Sequence, residues 1–336
     1  MSCYIIAEIG VNHSGSVTLA KKMIDAAKIS GADAVKFQTF TAEKLVSDNT
    51  PKVKYQESTT DNSESHYEMI KSLEFSYEDH IPVIEYCKEL GIDFISTPYD
   101  IESARFLALN GVEIFKTASA DIVDLSLQTF IANNAKHAIV STGMATLGEI
   151  EEVVNIYRKY NCKLTLLHCV SNYPCAVESL NLKAMQTLQS AFLCDVGYSD
   201  HAIGPLPAVA SVALGAKIVE KHFTLDKMMA GPDHKASSDP QEFKELVDSI
   251  RSTELALGTP IKSIQSEEMQ MREVSRKSLF LKKDVEAGVK LTADMFTLKR
   301  PGTGLYEKEL KRVVGSKSSK KLKEGKMLKL GDFSID

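Results

Sequence analysis

His201 ends the segment G-Y-S-D-H (Gly197–His201), just after one short apolar run, and His222, in E-K-H-F-T-L-D (Glu220–Asp226), lies at the end of the next. Neutral imidazoles with carboxylates in reach are ligands for a divalent ion, and two of them leave coordination positions open for water and substrate. Glu8, Glu220 and Asp233 supply the carboxylates, and Mn²⁺, Fe²⁺ or Zn²⁺ suits such a set. The competing reading is that one of the histidines only hydrogen-bonds its neighbours. A second group has a different chemistry. Lys36 and Lys116 with the hydroxyls of Ser119, Ser141 and Ser199 offer positive charge and several donors, which is what a phosphate or carboxylate needs. In an extended segment side chains alternate, so Lys36 and Gln38 share one face, as do Glu220 and His222, while Phe37 and Lys221 face away.

These residues need a frame that brings distant segments to one place. Short β-rich apolar runs occur at Tyr4–Ile9, Ala34–Gln38, Asp93–Ser96, Ile114–Thr117, Ala138–Ser141, Leu164–His168, Asp195–Tyr198 and Ile218–Phe223. Segments of helical period lie between them, among them Thr18–Ser30, Tyr77–Leu90, Ile101–Leu109, Leu147–Tyr160, Pro205–Leu214 and Gln241–Leu257, several ending at a glycine. Eight strands with crossover helices favour a closed (β/α)₈ TIM barrel, in which function gathers at the C-terminal ends of the strands. All eight runs end in polar residues: Glu8 with Asn12-His13, Lys36 with Gln38, Ser96-Thr97, Lys116-Thr117 with Ser119, Ser141-Thr142, His168, Ser199-Asp200-His201, and Glu220-Lys221-His222. One such end is a helix cap or a surface charge; eight imply a polar pocket.

The polar stretch 47–65 interrupts the second strand–helix unit and reads as a mobile loop on that face. After Gly258 the pattern changes. Short strands are expected at Ser278–Leu281, Leu291–Thr297 and Met327–Leu330 in a glycine-punctuated β-rich module, giving a barrel over 1–262, a linker or connecting helix over 263–276 and a small domain over 277–336.

The chain has 336 residues, 43% hydrophobic and 25% charged, an ordinary globular composition. No signal peptide or long apolar span is apparent, and six scattered cysteines without a C-x-x-C suit free thiols in a reducing compartment, so a cytoplasmic location without membrane attachment is expected. The net charge of −5 conceals an asymmetry: from Gln270 onward there are 17 Lys and Arg against 9 Asp and Glu, leaving 23 against 36 before it. The basic tail lacks interleaved aromatics, which argues against nucleic acid and for a folded face or a lid over an anionic substrate.

Taken together, A-E-I-G-V-N-H-S-G-S (Ala7–Ser16), V-K-F-Q-T-F (Val35–Phe40), I-S-T-P (Ile95–Pro98), V-S-T-G-M-A (Val140–Ala145), L-L-H-C-V-S-N-Y-P (Leu166–Pro174), the two histidine segments and G-P-D-H-K-A-S (Gly231–Ser237) resemble the sialic acid synthase family. K-R-P-G-T-G (Lys299–Gly304) is similar to that family's C-terminal antifreeze-like SAF domain, a β-clip fold. The resemblance implies condensation of phosphoenolpyruvate with an N-acetylated mannose-type sugar to a nonulosonic acid and phosphate. It assigns Lys36, Thr97, Lys116, Ser119, Ser141 and Ser199 to phosphoenolpyruvate, Glu8 to the reacting water, and Gln38, Tyr173, Asp233 and Arg300 to the sugar. It places Mn²⁺, with Mg²⁺ or Co²⁺ as substitutes, on His201 and His222. It also implies a homodimer in which the SAF domain of one chain covers the barrel mouth of the other. N-acetylmannosamine, giving N-acetylneuraminate, is the first expectation for the acceptor, and 2,4-diacetamido-2,4,6-trideoxymannose, giving legionaminate, the alternative. One departure bears on that choice: the family's G-S-G-E is Ala118-Ser119-Ala120-Asp121 here. Two rival activities remain, a Schiff-base aldolase on Lys116 or Lys221 and a carbohydrate- or ice-binding protein built on the tail.

Overall fold

The computed structural model describes residues 2–47, 49–53, 56, 60 and 63–334. Contacts divide the chain into two units, Met1–Gly258 and Thr259–Asp336.

In the first unit eight strands close into a barrel in sequence order: β1 (Tyr4–Gly10), β2 (Ala34–Thr39), β3 (Asp93–Pro98), β4 (Ile114–Thr117), β5 (His137–Ser141), β6 (Lys163–His168), β7 (Asp195–Asp200) and β8 (Ile218–His222). The TIM-barrel expectation is met, with most strands longer than expected by a residue or two. Around them run α1 (Val17–Ile29), α2 (Ala42–Leu45), α3 (His66–Leu73), α4 (Tyr77–Leu90), α5 (Ile101–Leu109), α6 (Leu125–Asn134), α7 (Leu147–Lys159), α8 (Ala184–Phe192), α9 (Leu206–Ala213) and α10 (Pro240–Leu257). Local signals set their ends. Ser65 with Glu68, Thr146 with Glu149 and Asp239 with Glu242 form capping boxes, and α4 stops at Gly91 in the left-handed region. The mobile loop expected over 47–65 falls in large part on Asp48, Lys54, Tyr55, 57–59, Asp61 and Asn62, which lie outside the described residues.

Two cores stabilise the barrel. The outer one packs strand residues such as Ile5, Ala7, Val35, Phe37, Phe115 and Tyr198 against the helices. The inner one is a layer of Ile6, Ala34, Ile95, Ile139, Leu167 and Ile218 inside the barrel. Period-two alternation then dictates what comes next: two residues beyond that layer stand Glu8, Lys36, Thr97, Ser141, Cys169 and Glu220. The site is the polar layer resting on an apolar plug.

The second unit has its own core of Leu279, Leu281, Val285, Leu291, Phe296, Leu305, Val313, Leu322, Leu328 and Phe333. Its helix α11 (Met269–Ser275) falls within the segment expected to link the domains, and α12 (Leu310–Val313) is a single turn. Strand β9 (Ser278–Leu281) pairs antiparallel with β10 (Phe296–Lys299), and β11 (Lys317–Ser318) with β12 (Phe333–Ser334). Two expected strands are corrected. Leu291–Thr297 is interrupted by a 3₁₀ turn at Ala293–Met295, closed by the Met295 amide on the Thr292 carbonyl, so pairing with β9 begins only at Phe296. In Met327–Leu330 only Met327 bridges to another strand, because the Asp332 carboxylate accepts from the Lys329 amide and turns the chain. All six cysteines are free, and among the described residues no helix is long and apolar enough to cross a membrane.

Candidate active site

Glu220 sits at the centre of the polar layer, level with Ser199 across the β7–β8 register. Its Oε1 accepts from Ser199 Oγ at 2.8 Å and lies 3.6 Å from Lys116 Nζ, while its Oε2 lies 3.3 Å from Lys36 Nζ. Lys36 reaches Glu8 Oε1 at 3.3 Å as well and donates to Thr97 Oγ1 at 3.3 Å. Two lysines and two glutamates are thus buried together, an arrangement that stands only because each charge has an opposite one beside it.

The four do not share the charge evenly. Burial would raise the Glu220 carboxyl, but Lys116 and then Lys36 outweigh it and hold the group down at about 2. Burial likewise raises Glu8, and there Lys36 only partly offsets it while the Glu220 charge adds to it, so Glu8 is pushed up to about 7. Glu220 thus stays charged as counter-ion to both lysines, while Glu8 is the carboxyl that burial leaves able to hold a proton near neutrality. Burial pushes the Lys116 ammonium down, against the pull of Glu220 and with the push of Lys36.

Glu8 is aimed by a β-bulge: β1 slips against β2 between Glu8 and Gly10. Gly10 has φ +57°, and a Cβ there would stand 3.1 Å from Glu8 Oε1 and 3.3 Å from Gln38 Nε2. Gln38 Nε2 donates to Glu8 Oε1 at 3.2 Å, and the Tyr99 hydroxyl donates to Gln38 Oε1 at 3.3 Å.

His201 and His222 meet above this floor with ring centroids 5.7 Å apart, and the Tyr173 ring lies 4.1 Å from the first and 5.4 Å from the second. His201 Nδ1 is 2.8 Å from the Val170 carbonyl, which can only accept, so Nδ1 carries the proton and Nε2 presents its lone pair. Burial lowers His201 to about 4 against the pull of that carbonyl, and lowers His222 well below its ordinary value, with His201 beside it adding to the effect. Both are neutral, as ligands must be. His222 Nδ1 is buried without a hydrogen-bond partner among the described residues and lies 4.0 Å from Asp233 Oδ2, whose carboxyl burial raises to about 6. Among the described residues no set of three or more His, Cys, Asp or Glu is placed to hold an ion; the two imidazoles, with Asp233 at a distance, are the groups that could offer donors to one.

Ser119 Oγ accepts from the Gly143 amide at 3.0 Å and lies 3.1 Å from Cys169 Sγ. Glu8, Lys36, Gln38, Thr97, Lys116, Ser119, Ser141, Tyr173, Ser199, His201, His222 and Asp233 all line one cavity of about 420 Å³, the size range of small-molecule sites. Arg300 belongs to the second unit, where it is exposed just after β10. Several polar residues at the strand ends do not line the cavity, among them His168, Asp200 and Lys221. His168 bonds the Leu180 carbonyl at 2.6 Å, and Lys221 pairs with Asp200 at 2.7 Å and donates to the carbonyls of Ala202 and Gly204. Lys221 is therefore no Schiff-base candidate. Asp121 does not line the cavity either, although Ala118 and Ala120 beside it do.

Sequence reasoning named Glu220 only as an inward carboxylate and missed its role as hub. It also missed Tyr99 and Cys169, whose signal was available: Tyr99 directly follows the I-S-T-P strand end, and Cys169 lies one alternation beyond Leu167.

The family model of the NeuB family matches residues 23–262 and that of the SAF domain residues 276–334. The N,N'-diacetyllegionaminic acid synthase of Legionella pneumophila is 44% identical over 98% of this chain and 94% of its own, and that of Campylobacter jejuni is 45% identical over 97% and 98%. The crystal structure of the N-acetylneuraminic acid synthetase of Leptospira borgpetersenii aligns with a TM-score of 0.73 at 35% identity, covering 81% of this chain and 90% of that one. A barrel with this polar floor, matched over most of its length by one family model and followed by a second, leaves a single assignment: the chain belongs to the NeuB family and ends in a SAF domain.

Proposed function

We propose that this protein condenses phosphoenolpyruvate with 2,4-diacetamido-2,4,6-trideoxymannose to give N,N'-diacetyllegionaminate and phosphate. The family assignment supports a nonulosonic acid synthase. The relatives favour the second of the two acceptors expected from sequence: those named for legionaminic acid stand at 44% and 45% identity, and the solved structure named for N-acetylneuraminic acid at 35%.

The observation that carries the chemistry is the buried Lys36–Glu220–Lys116 cluster. Its two cations, with Thr97, Ser119, Ser141 and Ser199, would hold the phosphate and carboxylate of phosphoenolpyruvate. The acceptor lies above, its aldehyde toward His201 and His222 and its substituents toward Gln38, Tyr173 and Asp233. A divalent ion on those two histidines, Mn²⁺ first and Mg²⁺ or Co²⁺ after it, would polarise the aldehyde oxygen as a Lewis acid. The alkene carbon of phosphoenolpyruvate bonds to the aldehyde carbon, leaving cationic character at its C2. Glu8, whose Oε2 is buried without a hydrogen-bond partner among the described residues, takes a proton from the water that adds there. The former aldehyde oxygen ends as a hydroxyl by taking up one proton, and the new C2 hydroxyl gives up its proton to become the keto oxygen as phosphate leaves with its bridging oxygen by C–O cleavage. Lys36 and Lys116 neutralise the departing phosphate.

Arg300 is proposed to reach an acetamido group from the second chain of a homodimer, its SAF domain covering the barrel mouth. The test is phosphate release from phosphoenolpyruvate in ¹⁸O-water with the diacetamido sugar and with N-acetylmannosamine. Label at C2 of the product and none in phosphate, with the diacetamido sugar the faster acceptor, is expected. Borohydride trapping of a pyruvate adduct on Lys116 would establish the aldolase instead.

A further inference from the structure

The cavity has an apolar wall that phosphoenolpyruvate chemistry does not require. Beside the charged groups it is lined by Val11, Phe40, Leu45, Met69, Ile70 and Leu73, with Val53 and one polar side chain, Gln56, also on the lining. The first six form a hydrophobic cluster separate from both barrel cores, with Tyr99 packed edge-on against Phe40 at 5.9 Å. Four of them come from α2 and α3, the helices inserted between β2 and α4. Tyr99 marks the border: its ring belongs to the wall, and its hydroxyl donates to Gln38 on the floor.

A surface of this kind strips water from whatever faces it and returns no hydrogen bond, so it penalises a hydroxyl and favours a methyl. Resting on the function proposed above, we infer that this wall selects the acceptor by seating its methyl-bearing end. The diacetamido-trideoxy sugar carries two acetyl methyls and a C6 methyl, whereas N-acetylmannosamine carries one acetyl methyl, a free 4-hydroxyl and a hydroxymethyl. With the aldehyde held at the histidines and the phosphate seat below, the far end of the sugar meets Leu45, Met69 and Ile70. Arg300 reads an acetamido group through its polar atoms; the wall reads the methyls.

The test compares kcat/KM of the two acceptors in wild type, Met69→Gln and Ile70→Thr, with the KM for phosphoenolpyruvate measured in each. Both variants add a polar group, Met69→Gln at unchanged side-chain length and Ile70→Thr with the loss of one methyl, and Ile70 is only half-buried, so it carries the comparison if Met69→Gln fails to fold. The ratio favouring the diacetamido sugar is expected to fall about 10-fold or more, the discrimination that one methyl-sized contact supplies, while the KM for phosphoenolpyruvate holds. A ratio that stays at the wild-type value, both acceptors slowing alike or neither changing, overturns the inference and leaves the proposed function standing. A wild-type enzyme that turns over neither sugar overturns the function itself, and the inference with it.

Discussion

At the scale of single residues the site is organised by two carboxyls that neighbouring charges drive apart. Glu220 at about 2 is ionised throughout the working range, and Glu8 at about 7 is half ionised near neutrality. If Glu8 takes the proton of the attacking water, kcat/KM for phosphoenolpyruvate climbs as pH rises through about 7 and levels off above it. Glu8→Gln removes that limb and lowers kcat by about 10²- to 10⁴-fold. Asp233→Asn serves as the control, since Asp233 lies nearby in pH at about 6, and the limb is expected to survive it. A limb that persists in Glu8→Gln assigns the proton to another group. The same shift has a cost in stability. Unfolded, the carboxyl releases its proton near 4.5, so the contribution of Glu8 is present below that pH and is lost as pH rises through about 7. Glu8, Lys36, Gln38, Lys116, Ser141, Ser199, His201 and His222 were legible in sequence because they stand at strand ends with the right parity, whereas Tyr173 and Asp233 lie in loops and were assigned to the sugar only by resemblance. Glu220 was legible only in part, since parity gives direction but not which of the four inward charges becomes the shared partner.

At the scale of elements, two glycines set how closely the strands and loops approach one another. A Cβ on Gly197 of β7 would come within 2.4 Å of the Ile218 carbonyl oxygen on β8 and 2.6 Å of Leu167 Cδ2, inside the apolar plug. Backbone cannot step aside, so Gly197→Ala is expected to destabilise the barrel by about 1–3 kcal/mol or more. On Gly143 the clashing atoms are side-chain tips, Ser171 Oγ at 2.4 Å and Cys169 Sγ and Ser119 Oγ at 2.8 Å, which can rotate away. Gly143→Ala should therefore fold normally and lower kcat/KM for phosphoenolpyruvate by up to about 100-fold through a displaced Ser119. Denaturant unfolding followed by circular dichroism, set beside steady-state kinetics, separates the two; a Gly143→Ala enzyme with wild-type kinetics would show that Ser119 is not part of the phosphate seat. The barrel elements were readable because apolar period and glycine stops agree. The apolar wall was not, because α2 and α3 are short, lie next to a polar stretch, and show no pattern that reveals a shared cluster with Val11 and Phe40. In the second unit the β10 segment was misplaced since Leu291 is buried like a strand residue but precedes a turn.

At the scale of the whole molecule, the proposed assembly makes each active site the work of two chains. His222→Ala disables a barrel, and Arg300→Ala disables the cover it offers its partner. Mixed dimers of the two variants then contain one intact barrel covered by an intact Arg300, so co-refolding them in equal amounts should recover roughly a quarter of wild-type activity at low acceptor concentration, as random C₂ pairing gives. A mixture no faster than its separate halves would mean that Arg300 serves its own barrel or none. Within a single barrel the layered interior has a further consequence for the order of events. The plug of Ile6, Ala34, Ile95, Ile139, Leu167 and Ile218 closes the bottom, so the mouth is both entrance and exit. Whatever sits on the lysine floor must arrive before the sugar does. By the same geometry phosphate, if seated on the lysine floor as proposed, would wait behind the nine-carbon product and be the last passenger to leave.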